Sequence, residues 1–72
     1  MSIEFNRPYK VQRIIKSIQN PEISDRLYDL GFIEGLEIVV EKRLPLAGPW
    51  IVSSSMIYVA LRDEEFQLLE LK

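Results

Sequence analysis

The chain of 72 residues carries nine Lys plus Arg against eleven Asp plus Glu, a formal net charge of -2, and contains neither Cys nor His. Disulfides, thiolate zinc sites and thiol nucleophiles are thereby excluded, and so are the commonest transition-metal ligand and the side chain most used as a general base near neutral pH. Such a length predicts one domain over 1–72 that buries about 60% of its unfolded surface, in a chain whose 47% apolar content is enough to fold.

From Tyr9 to Lys16 the β-forming run alternates until Ile14-Ile15, which predicts a first strand with a bulge at that pair. Pro8 limits any earlier strand to an edge or a start, and the first five residues read as a frayed or docked lead-in. Asn20-Pro21 signals a helix start, with Asn as N-cap, Pro at the first helical position and Glu22 placed to favour the dipole. Ile23, Leu27 and Leu30 form one apolar stripe, while Glu22 and Arg26 can pair at i, i+4. Gly31 is expected to end the helix in the left-handed conformation, with Phe32 reaching back to Leu27.

Ile33-Glu34-Gly35 predicts a tight turn, and Leu36 to Arg43 a strand whose Ile38-Val39-Val40 centre would face both the interior and a covering helix. Pro45-Leu46-Ala47-Gly48-Pro49 can only be a loop. Trp50 to Val52 forms a third strand, ended by Ser53-Ser54-Ser55, and the alternation of Ile57, Val59 and Leu61 predicts a fourth. Asp63 to Phe66 is a polar corner of one helical turn, and Leu68 to Leu71 a fifth strand. Connections after the helix are too short for parallel crossovers. The expected fold is therefore mainly β: a small barrel of about five antiparallel strands with one short α-helix between strands one and two.

Three runs of residues carry a resemblance. Arg26-Leu27-Tyr28-Asp29-Leu30-Gly31-Phe32-Ile33-Glu34-Gly35, then Pro45-Leu46-Ala47-Gly48-Pro49, then Ile57-Tyr58-Val59-Ala60-Leu61-Arg62 stand in the order and spacing of the FeoA family. From about Tyr9 to Leu71 the chain resembles a free-standing FeoA protein. The resemblance implies an SH3-like barrel in the cytoplasm, a non-enzymatic accessory of bacterial ferrous iron uptake that binds the cytoplasmic region of the transporter FeoB, which carries a GTP-binding domain. Glu34 stands where the family usually has Pro, Ala47 where Gly is common, and Ser53 to Ser55 where the family often has Gly. A second reading is a regulatory module like the C-terminal SH3-like domain of DtxR-type metal-dependent repressors, acting on a protein or an extended peptide. The chain has no winged-helix segment and no metal ligands of the His or Cys type to support it.

Site chemistry is sparse. Asp63-Glu64-Glu65 reads as a solvated corner and Asp25 with Asp29 as exposed helix acids, so no metal site and no cofactor is expected; weak carboxylate binding of a metal stays open. Gly31, Gly35 and Gly48 match no phosphate-loop fingerprint and are assigned to turns and caps. Leu27-Tyr28-Asp29 lies within the helix stripe rather than in a proline-peptide groove. Partner-binding candidates are Leu44, Leu46, Pro49 and Trp50 around one loop, with Arg26 and Arg62. Trp50 either serves as an anchor or covers one end of the barrel, and the two arginines either anchor a partner's acids or pair with Glu22 and Glu64. The scattered cations and the absence of an apolar run of roughly 18 residues point away from nucleic acid and from membrane insertion, leaving a protein partner and weak self-association.

Overall fold

A computed structural model describes residues 2–72. Five strands, β1 (Pro8–Ile14), β2 (Glu37–Arg43), β3 (Trp50–Ser53), β4 (Tyr58–Leu61) and β5 (Leu69–Leu71), pair antiparallel in the order β4-β3-β2-β1-β5. A helix, α1 (Pro21–Asp29), fills the first connection, and one helical turn, α2 (Asp63–Phe66), joins the two end strands. The sheet is curled rather than flat, because Leu61 from one end strand and Leu69 and Leu71 from the other belong to the same core. This is the small mainly-β barrel with one helix between strands one and two that the alternation and short connections predict.

Inward residues follow the period of two. Tyr9, Val11 and Ile14 of β1, Ile38 and Val40 of β2, and Trp50 and Val52 of β3 enter the core. The step from Val11 to Ile14 is three residues, accommodated by a register shift between Val11 and Arg13 opposite β5. The bulge therefore lies at Gln12 and not at Ile14-Ile15: Ile14 is buried, whereas Ile15 falls past the strand end and is exposed. A second shift, between Val40 and Lys42, adds twist opposite β3. Val39 is half-buried on the outer face, aligned with Pro8 and Ser53, and α1 lies instead against α2.

α1 begins at Pro21, as expected, but Asn20 does not cap it with its side chain. Its backbone (φ -144°, ψ 73°) is off the extended geometry of a capping residue, and its side-chain amide faces the Glu22 carboxylate instead of the helix N–H groups. The C-terminus is built as the sequence predicts. Gly31 has φ +104°, its N–H donates to Tyr28 O at 3.0 Å, and the Phe32 N–H donates to Leu27 O at 3.0 Å, the paired bonds of a Schellman motif. Leu27 and Phe32 are fully buried, Ile23 and Leu30 half-buried, and Ser24 is buried with its hydroxyl donating to Pro21 O at 2.9 Å. The turn that follows closes through Leu36 N–H to Ile33 O at 3.2 Å, with Gly35 at φ +90° where a type II turn needs it.

Candidate functional site

The loop between β2 and β3 is closed by the facing pair Arg43 and Trp50. Within it the Leu44 N–H donates to Pro49 O at 2.9 Å, and the Gly48 N–H is shared between Pro45 O and Leu44 O, both at 3.2 Å. Those bonds force a tight turn whose central residues, Leu46 and Ala47, have φ of 61° and 55°. Gly48 is there for space: a Cβ would sit 2.9 Å from Pro45 O and 3.1 Å from Leu44 Cβ. Leu44 and Pro49 are half-buried at the foot of the loop, while Leu46 at its apex is 99% exposed.

Beneath the loop, Trp50 is taken up by the core. Its ring stacks on Phe66 (centroids 4.2 Å apart, planes within 10°), carries the Arg43 guanidinium 4.5 Å above its face, and meets Phe5 at 6.4 Å. Its indole N–H donates to Asp63 Oδ1 at 3.0 Å. Of the two readings of this residue, the geometry is that of a cover for one end of the barrel, since only 9% of it is exposed. Arg43 ties loop and stack together, donating from Nε to Gly48 O at 3.3 Å and placing Nη2 3.2 Å from Asp63 Oδ1. The Asp63 carboxyl is held below its ordinary value of 3.8, first by the Trp50 hydrogen bond, then by that of Gln67, with the Arg43 charge adding to both against partial desolvation. Beside Trp50, the N-terminal arm and β5 border a groove of about 590 Å³ walled by Ile3, Phe5, Phe66, Leu69 and Leu71.

The remaining candidates lie on the α1–α2 side. Arg26 does not pair with Glu22; its Nε is 2.6 Å from Glu65 Oε2, a carboxylate only 4% exposed whose other oxygen accepts the Arg62 N–H at 2.9 Å. Glu65 is thus no part of a solvated corner, and its role as internal counterion outbids a surface pairing within α1. The Arg62 side chain is exposed and, among the described residues, forms no ion pair with Glu64 or any other acid. The structural roles of Arg43, Asp63 and Glu65 escape a reading of the sequence by runs. The signal was in the hairpin pairing that sets Arg43 opposite Trp50, and in the Glu placed three residues after Arg62, the residue that precedes the short helical turn. Asp25 and Asp29 are exposed, and among the described residues no three acids gather in a metal-binding group. No helix among those residues is long and apolar enough to cross a membrane.

Strand order, the helix in the first connection and the short turn that joins the two end strands define a class, that of small SH3-like barrels. A family model, the FeoA domain, matches residues 6–72, and the chain belongs to the FeoA family. The solution structure of iron(II) transport protein A from Clostridium thermocellum is similar at 26% identity and a TM-score of 0.83, over 97% of this chain but only 41% of that one. The crystal structure of FeoA from Stenotrophomonas maltophilia complexed with zinc, described as a prokaryotic SH3 domain protein and put forward as a ferrous iron transport activating factor, superposes with a TM-score of 0.82 at 24% identity, over 99% of this chain and 85% of that one. A FeoA-like protein from Clostridium acetobutylicum gives a TM-score of 0.81 at 21% identity, over 99% of this chain and 79% of its own. No curated protein matches the chain.

Proposed function

We propose that this chain acts as one domain over 1–72, a non-enzymatic accessory of bacterial ferrous iron uptake that works in the cytoplasm by docking on the cytoplasmic region of FeoB and modulating transport or GTP hydrolysis. The observation that carries the reading is the FeoA domain match over residues 6–72. The similarity to an iron(II) transport protein supports the same direction. With neither His nor Cys in the chain, iron is handled as the transporter's cargo rather than held tightly here. Leu44, Leu46 and Pro49, with Trp50 bracing them and Arg26 and Arg62 on the flank, are the proposed contact residues.

The test mixes the purified protein with the isolated cytoplasmic region of a cognate FeoB, and separately with the full-length transporter in membranes. Binding is followed by titration calorimetry and by Trp50 emission, and function by GTP turnover. Saturable binding with a changed turnover is expected. Failure to bind either form overturns the reading.

A further inference from the structure

Leu46 occupies a position that neither turn chemistry nor core packing asks for. A turn with two consecutive left-handed residues is ordinarily made from Asn, Asp and Gly. Here the two are Leu46 (φ 61°) and Ala47 (φ 55°), and Leu46 is 99% exposed, so nothing among the described residues receives its side chain. Single exposed apolar residues are ordinary on a protein surface, as Ile18 at 96% and Met56 at 90% illustrate. Those two carry no positive φ, whereas Leu46 is held out on strained backbone.

The loop beneath it is stiff. Pro45 and Pro49 restrict its arms, the Gly48 N–H bonds to both Pro45 O and Leu44 O at 3.2 Å, and Arg43 Nε anchors Gly48 O to the Trp50 stack at 3.3 Å. A rigid mount lowers the ordering cost of association. Lys42, exposed at the foot of the loop, takes part in none of the ion pairs among the described residues, while Arg43 is occupied by Asp63. We infer that Leu46 is a preformed apolar knob for a pocket on a protein partner, an apolar recess large enough for one leucine and bordered by a carboxylate that meets Lys42. This knob-in-pocket contact rests on the FeoB docking proposed above. A single leucine and a single lysine are too little to hold a bilayer surface, where stable attachment draws on larger apolar area or several cations.

Titration calorimetry against the cytoplasmic region of a cognate FeoB compares the wild type with Leu46→Asn, Leu46→Met and Lys42→Glu, and a denaturant midpoint is measured for each variant. Leu46→Asn should weaken binding by about tenfold to a hundredfold, the loss of one buried leucine. Its midpoint should be unchanged or higher, because Asn tolerates the left-handed region. Leu46→Met should stay within about threefold of wild type, and Lys42→Glu should weaken binding most at low salt. Equal affinity for Leu46→Asn and wild type overturns the knob while the docking on FeoB stands; no binding by the wild type removes the docking and the knob together. Leu46-dependent binding to phosphatidylglycerol–phosphatidylethanolamine vesicles without protein overturns the pocket in favour of a lipid surface.

Discussion

Ala47 and Asp63 show how single residues at one end of the barrel pull stability in opposite directions. A left-handed residue other than glycine costs on the order of 1–2 kcal/mol, and Ala47 bears that cost at φ 55° in a fold class whose whole margin is about 5–15 kcal/mol. Ala47→Gly should therefore stabilise the protein by up to about 1 kcal/mol, the relief of strain being partly offset by the freer unfolded chain. The measurement is a denaturant midpoint that rises at constant slope; a lower midpoint would mean that the turn does not hold Ala47 in this conformation. Asp63 contributes in the other sense, since hydrogen bonds from Trp50 and Gln67 and the Arg43 charge hold its carboxyl below 3.8. A depressed native pKa gives stability that is present above the unfolded value and is lost as pH falls through the native one. As pH falls below about 4 the wild-type midpoint should accordingly fall more steeply than that of Asp63→Asn. Parallel acid limbs would show that the Trp50 and Arg43 contacts do not favour the charged form.

α1 spans only nine residues, too few to persist alone in water; besides the burial of Leu27 in the core, two polar features at its ends and flank help to hold it in place. One is the Gly31 cap, legible in Leu30-Gly31-Phe32 because a Schellman motif is made by residues adjacent in sequence. The other is Arg26 with Glu65, separated along the chain and brought together when α1 lies against α2. Removing Arg26, itself 59% exposed, leaves a carboxylate that is only 4% exposed without its counterion. Arg26→Ala should cost about 1–3 kcal/mol, discounted from a fully buried pair because the arginine is open to solvent. Glu22→Ala should stay within about 0.5 kcal/mol. A double-mutant cycle should find coupling of roughly 0.5 kcal/mol or more between Arg26 and Glu65 and none between Arg26 and Glu22; the reverse result would restore the pairing that the i, i+4 spacing suggests. The β2–β3 loop follows the same division. Its existence was legible in Pro45, Gly48 and Pro49, but the left-handed strain at Leu46 and Ala47 depends on how the two strand ends meet.

Across the whole molecule the barrel draws on both ends of the chain, and α1 contributes to its core through Leu27, which is fully buried beside Phe32. Leu27→Ala should cost about 2–5 kcal/mol and Leu30→Ala less, since Leu30 is only half-buried; equal losses in urea titrations would contradict that arrangement. The strands, the helix, its Gly31 cap and the antiparallel barrel could be read from residue order, because alternation, capping and short connections act between neighbours. The family followed from the same local runs, at Arg26 to Gly35, Pro45 to Pro49 and Ile57 to Arg62. Folding alone decided where the bulge falls in β1, that Trp50 is a stacked cover, and that Arg26 and Arg43 are held by Glu65 and Asp63. For charges in water, rival partners differ by less than about 1 kcal/mol, so sequence spacing does not choose among them. Burial makes the choice, by removing one carboxylate from solvent and bringing a distant arginine to it.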